Sequence, residues 1–304
     1  VEIKINGEPL EYSLEQEDSL PEILDAIDSW LSSSRHIITE LRINGTLYTP
    51  EDRGTWGTIP LSTVDLLEIE ASTAFQLRVN NLETVIQFLS LLSKSVENDD
   101  EAGKKELMAE YPYVQKSLSD LLAAPGYRGN EPISQQLDLI LQKSGLSSDG
   151  WDSSMKTAVL TACNQVIMLL QERLREIEDP LNELFSSKEV ITKSLEDTAE
   201  VSVLLQTGKD KEAMTRVLSF LDLSQKILRC LSYLINKGII DAKTPVHGET
   251  SLEDYYSELN KVMQELIEAF EAKDSILIGD FLEYEISPRI HTLLESLHSL
   301  STEE

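Results

Sequence analysis

The chain has 304 residues, 26 of them basic and 54 acidic, for a formal net charge of −28. That length corresponds to about two domains at ~100–200 residues each, enough to bury a core without disulfides or metals. The acidity argues against nonspecific binding to nucleic acid and against docking on anionic membranes, because phosphates are repelled over most of such a surface.

The first seventy residues carry a period of two. Ile3 and Ile5 lead into Asn6-Gly7, with Leu10 and Tyr12 beyond, and Asn-Gly tolerates the positive φ angles that a tight hairpin demands. Apolar residues at helical spacing follow from Leu20 to Leu31, and Pro21 suits a first turn. A second hairpin signal pairs Leu41 and Ile43 with Leu47 across Asn44-Gly45. After a loop over 49–58, the segment Val64–Glu70 reads as a last strand. Hairpin, crossing helix, strand, short strand, loop and late strand, with two Ile-Asn-Gly turns, make residues 1–73 similar to the ubiquitin-like β-grasp fold. The resemblance implies a recognition or scaffolding module. It does not extend to conjugation, since Ala71-Ser72-Thr73 runs into a further helical pattern where ubiquitin-type modifiers end in a free Gly-Gly tail.

From Phe75 onward the period becomes helical. One stripe runs through Leu82, Val85, Ile86, Leu89 and Val96, and a second from Leu107 to Leu121. A short helix spans Ile133 to Leu141, and a long one spans Trp151 to Ile177, ended by Pro180. Helices are then expected near 181–206, 211–236, 252–271 and 275–300. The fold class is therefore α+β: a β-grasp domain over 1–73, then an acidic α-helical bundle of seven or eight helices over 74–304. Ser194-Leu195-Glu196-Asp197 recurs as Ser251-Leu252-Glu253-Asp254, and Gly208-Lys209-Asp210 has a counterpart in Ala272-Lys273-Asp274, which suggests loosely repeated helical hairpins.

Cys163 and Cys230 lie in apolar helical patterns and make no Cys-x-x-Cys pair, as expected of two buried thiols in a reducing cytoplasm. No run reaches the ~18 apolar residues of a membrane span, and no charged-then-apolar leader opens the chain. The first residue is Val1 and not methionine, so a short preceding segment is expected.

Motifs that carry chemistry are sparse. Glu295 and His298 have the Glu-x-x-His spacing of di-iron bundles, with His291 two turns earlier. Neither of the remaining histidines, His36 and His247, has a glutamate three residues before it, so no metal site is expected. There is no Gly-x-Ser-x-Gly elbow and no phosphate-binding glycine loop, so neither catalytic residues nor a cofactor is assigned. The loop Pro125–Pro132 presents Tyr127 and Arg128, residue types enriched at binding hot spots. The run Phe281–Pro288 places Phe281, Leu282 and Tyr284 before a proline that breaks the last helix, as Pro112 does in an earlier one; such a kink either bends a helix around the bundle or opens a groove for a partner helix. Glu283 and Glu285, two residues apart, point in different directions and form no catalytic pair. Acid runs such as Glu15–Asp18 and the tail Glu303-Glu304 read as solvated surface.

These features favour a non-enzymatic, cytoplasmic protein–protein interaction protein with a basic or helical partner, contacted through Tyr127, Arg128, Phe281, Leu282 and Tyr284. Adaptor, assembly factor and chaperone roles all fit, and small acidic helical bundles that hold flagellar or secreted proteins are similar in helix content. An enzyme with a carboxylate-rich site inside the bundle is the first alternative, and a structural subunit that oligomerises through the bundle is the second. Salt gives a first test. With 28 excess negative charges the native state repels itself, and salt screens charges beyond a Debye length of ~8–10 Å. The melting temperature is expected to rise from low salt to ~0.2 M NaCl, measured by calorimetry. A flat or falling curve would mean that specific ion pairs outweigh the repulsion.

Overall fold

A computed structural model describes residues 1–10, 17–122, 133–146, 151–248, 250–272 and 274–300, and divides into two compact units, 1–83 and 84–304. Tyr127, Arg128, Glu15 and Gln16 of the acid run at 15–18, and the Glu303-Glu304 tail lie outside the described residues.

In the first unit, β1 (Glu2–Ile5) and β2 (Glu8–Pro9) form the opening hairpin, and α1 (Leu20–Ser33) follows. Next come β3 (His36–Ile43), β4 (Thr46–Tyr48), the single-turn α2 (Arg53–Trp56), a 3₁₀ turn at Leu61–Thr63 and β5 (Leu66–Thr73). The sheet order is β2-β1-β5-β3-β4, with β1 parallel to β5 and every other pair antiparallel. Both Asn-Gly turns adopt the left-handed backbone the sequence predicts, at φ 52° and 80° for Asn6-Gly7 and 50° and 80° for Asn44-Gly45. Each asparagine also stitches its hairpin to the strand between them. The Asn6 amide exchanges two hydrogen bonds with the Ala71 backbone at 2.8 and 3.0 Å. Asn44 Oδ1 accepts from the Asp65 and Leu66 N–H groups at 2.9 and 3.1 Å, while its Nδ2 donates to the Thr63 carbonyl at 2.8 Å.

Alternation then gives the sheet two unlike faces. Ile3, Leu41, Ile43, Leu67, Ile69 and Ala71 share one buried core with Leu20, Ile23, Leu24, Ile27 and Leu31 of α1. On the other face Glu68 stands in register with both Lys4 and Arg42. The like-charged pair Glu40–Glu70 is relieved by Arg42, 2.7 Å from Glu40.

The helical region runs through α3 (Ala74–Glu97), α4 (Glu101–Leu122), α5 (Ile133–Lys143), α6 (Lys156–Glu178), α7 (Pro180–Thr198), α8 (Val201–Gln206) and α9 (Asp210–Asn236). A hairpin of β6 (Pro245–His247) and β7 (Thr250–Ser251) precedes α10 (Leu252–Glu271), α11 (Ser275–Asp280), a π-helical turn (Phe281–Ile286) and α12 (Ser287–Leu300). Side-chain caps open several of these helices. Asp179 accepts from the Asn182 N–H ahead of Pro180, Ser251 from Asp254, and Asp274 from Leu277. Lys156 donates at 2.9 Å to the Glu97 carbonyl and pairs with Asp99, closing the C-terminus of α3.

The α+β class holds, with three differences in detail. The described residues after 73 contain ten α-helices, not seven or eight, because the runs expected at 181–206 and 275–300 are each interrupted. The break at Ala199-Glu200 and the π turn supply the two extra segments. The region is also not wholly α, since Gly248, at φ 62°, permits the small β6–β7 hairpin. Third, the two Ser-Leu-Glu-Asp segments are not equivalent: Ser251 caps α10, whereas Ser194 is buried inside α7. The two segments thus sit at different places in their helices.

The first unit has its own core, so a fragment of residues 1–83 should fold alone. It is expected to give a mixed α/β circular dichroism spectrum and a cooperative urea transition. A disordered fragment would show that its core needs the helical unit.

Candidate functional site

Two places in the second unit gather functional side chains: a charged cluster where α6, α7 and α9 meet, and the surface of the run from α11 to α12. The cluster centres on Glu176, whose side chain is fully buried. Arg229 of α9 donates to it twice, from Nε to Oε2 at 2.7 Å and from Nη2 to Oε1 at 2.9 Å. Arg173, one turn earlier on α6, adds a third bond to Oε1 at 2.8 Å. Alongside, Lys226 of α9 reaches Glu172 of α6 at 3.0 Å and Glu183 of α7 at 2.7 Å, and Arg175 lies 3.4 Å from Glu183.

Burial pushes the Glu176 carboxyl up, to about 7, while the charges of Arg173 and Lys226 pull it back. Burial likewise works against the Lys226 ammonium, but Glu183 and Glu172 outweigh it and hold its pKa above the ordinary lysine value. The carboxylates of Glu172, Glu176 and Glu183 are thus each committed to a basic side chain of the same protein. Cys230, buried nearby, has its thiol pushed up to about 12 by burial and by Glu176, and Cys163 is raised to about 11 by burial. Thiols so placed are poor nucleophiles. The described residues contain no group of histidine, cysteine, aspartate or glutamate side chains able to hold a metal. His291 instead pairs with Glu295 at 3.4 Å on an exposed face.

The second place is the run predicted from Phe281 to Pro288. Pro288 has no N–H to donate, and the turn before it widens to π geometry. There the Leu282 carbonyl accepts from both the backbone N–H and the hydroxyl of Ser287, the latter at 2.6 Å. Of the three side chains expected at an open groove, only Tyr284 is exposed, at 63%. Leu282, at 1%, belongs to the core with Ile278, Ile286 and Ile290, and Phe281 packs against that core. The reason is periodicity: residues 278, 282, 286 and 290 recur every fourth position and define the inward face, which leaves Tyr284 outward. Leu282 is therefore part of the core and is not open to a partner.

Exposed apolar residues do accompany Tyr284. Ile276 is 75% and Leu277 41% exposed on α11, about two turns ahead, and Val203 is exposed on α8. Gly279 brings α8 and α11 close, since a Cβ there would sit 2.3 Å from Ser202 Oγ. Asp280 and Glu283 flank the apolar side chains and are themselves exposed. Glu283 also accepts a hydrogen bond from the Tyr284 phenol, which raises its pKa above the usual tyrosine value.

Sequence reasoning missed the Glu176 cluster. Its signal is an acid on the inward stripe of α6, beside the buried Ile177 and six residues after the buried Leu170, together with an arginine set between the buried Leu228 and Cys230 of α9.

Comparison with known proteins follows the same divisions. Residues 182–296 match the profile of a family described as a domain of unknown function (DUF8042), and residues 1–73 match that of the TP0873 N-terminal domain. The first span coincides with α7 to α12, which share one apolar core from Leu184 to Leu294; the second coincides with the five-stranded sheet. An "Uncharacterized protein" of Treponema pallidum (strain Nichols) is 29% identical over 113 residues, which covers 36% of this chain and 56% of that protein. The chain thus spans about half the length of the curated relative it matches. No solved structure matches the chain.

A structural role for the cluster has a measurable signature. Glu176→Ala leaves two guanidinium groups facing a dry interior without their carboxylate, and should cost about 3–5 kcal/mol in urea denaturation. The double variant Glu176→Leu/Arg229→Met removes both ends together and should cost far less. Equal losses in the two variants would show that the cluster is not coupled.

Proposed function

We propose that this protein is a non-enzymatic interaction protein, an adaptor or assembly factor, that holds a basic, helical partner against the α11 surface. The observation that carries the reading is the exposed set Ile276, Leu277 and Tyr284 on one helical run, bordered by Asp280 and Glu283. A helical partner laying apolar anchors on such a strip satisfies helix-in-surface recognition, and its basic residues complement the border. The net charge of −28 favours association with basic partners by the same attraction.

The N-terminal unit fits this role as a β-grasp type recognition module. Adjacent parallel β1 and β5, flanked by two hairpins and covered by α1, support that finer reading. The two free, buried thiols suit a reducing compartment, which supports a cytoplasmic site of action. No helix among the described residues is long and apolar enough to cross a membrane.

The Glu176 cluster would be the centre of a catalytic reading. Its carboxylate oxygens are both already hydrogen-bonded to arginines, and a general acid or base needs one free to reach substrate. The interaction reading is therefore preferred.

A photo-crosslinking residue at position 284, compared with one at the exposed Met168, tests it in cells. Position 284 should give a specific adduct to another protein, and Tyr284→Ala should weaken binding of that purified partner by roughly thirtyfold, about 2 kcal/mol. Its melting temperature should stay unchanged, because the side chain is exposed. Absence of an adduct at 284, or self-adducts alone, would point to the oligomerising subunit instead.

A further inference from the structure

In the first unit a cleft of about 230 Å³ opens between α1 and the outer edge of β3. Its floor is apolar, formed by Leu24, Leu41 and Trp56, all buried, with the Trp56 indole N–H donated to the Thr49 carbonyl at 3.2 Å. Its mouth carries the carboxylates of Asp25, Asp28 and Glu51 against a single guanidinium, Arg53. Arg53 ion-pairs with Asp25 and lies over the Trp56 ring, 5.9 Å from its centre. The chain's own arginine thus displays what this rim accepts: a planar cation beside a carboxylate and against an aromatic ring. Asp28 and Glu51 remain in excess.

A second feature lies along the same wall. β4 pairs with β3 only through Leu41, Arg42 and Ile43, and the chain then turns away at Thr49. β3 begins earlier, at His36, so His36–Ile38 has β5 on one side and, among the described residues, no strand on the other. An unpaired edge presents backbone N–H and C=O groups to any extended chain that can approach. Ile37, 48% exposed, and Ile38 belong to this stretch and also line the cleft. The register shift between Ile38 and Glu40, where the Thr39 hydroxyl donates to the Glu70 carbonyl, limits the edge to a short segment.

We propose that this edge and cleft bind a short extended segment of a partner protein, which adds as a strand beside His36–Ile38 and lays an arginine side chain in the cleft. The arginine methylenes rest on Leu24, Leu41 and Trp56, and its guanidinium meets Asp28 and Glu51. Charge selects this occupant: an acidic segment is repelled by the rim, and an aliphatic side chain leaves both carboxylates unmatched. The site is independent of the α11 surface.

The test uses the full chain, labelled with ¹⁵N, and the peptide Ac-Val-Thr-Arg-Val-Thr-NH₂. Saturable shifts are expected at the Ile37 and Ile38 amides and at the Trp56 indole N–H. Replacing the peptide arginine by norleucine should weaken binding by roughly tenfold, and by glutamate should abolish it. Asp28→Asn/Glu51→Gln should bring the arginine peptide down to the norleucine level and leave the norleucine peptide unaffected. Tyr284→Ala should change none of these values, which separates failure here from failure at α11. Equal affinity for the arginine and norleucine peptides, or no shift at these three positions with millimolar arginine peptide, would overturn the proposal.

Discussion

A carboxylate taken out of water is among the costliest groups a fold can bury, and Glu176 is fully buried. That cost dictates much of the helical unit around it. Arg229 must come from α9 and Arg173 from α6 to supply three hydrogen bonds, and Lys226 must bring Glu172 and Glu183 into the same neutralised group. Apolar contacts accept a range of helix rotations, whereas a bidentate guanidinium–carboxylate pair accepts few. The cluster therefore sets how α6, which lies before the shared core of α7 to α12, is joined to it.

The same economy appears at smaller scale in the N-terminal sheet. Asn6 and Asn44 occupy left-handed turn positions, and each spends its side-chain amide on backbone groups of the β5 region. One residue type thus closes a hairpin and fixes its neighbour. The sheet face turned away from α1 carries charges of both signs, Lys4, Arg42 and Glu68 among them, whereas at the cleft beside β3 apolar surface and unpaired backbone coincide.

In the helical unit the interruptions shape the surface. Pro288 removes a donor, the turn widens, and Tyr284 is left outside while Leu282 stays in the core. Gly279 lets α8 approach α11 closely. Between them these two residues create the exposed strip on which the proposed interaction role rests.

The sequence by itself determined the α+β division, the two Asn-Gly hairpins, α1 and the position of nearly every long helix. These depend on local signals: turn dipeptides, a switch of period after Ile69, and side-chain caps ahead of some helices, as at Asp179, Ser251 and Asp274. Which of Phe281, Leu282 and Tyr284 faces outward follows from the every-fourth spacing of Ile278, Leu282, Ile286 and Ile290, a stripe that the proline and its expected kink obscure. The sequence did not reveal the Glu176 cluster, whose contacts between α6 and α9 join residues more than fifty apart along the chain. The open edge of β3 was hidden for a similar reason, since a strand's partner, or its lack of one, is a property of the sheet. Local chemistry is written residue by residue, and only the folded chain decides which distant groups meet and which are left facing solvent.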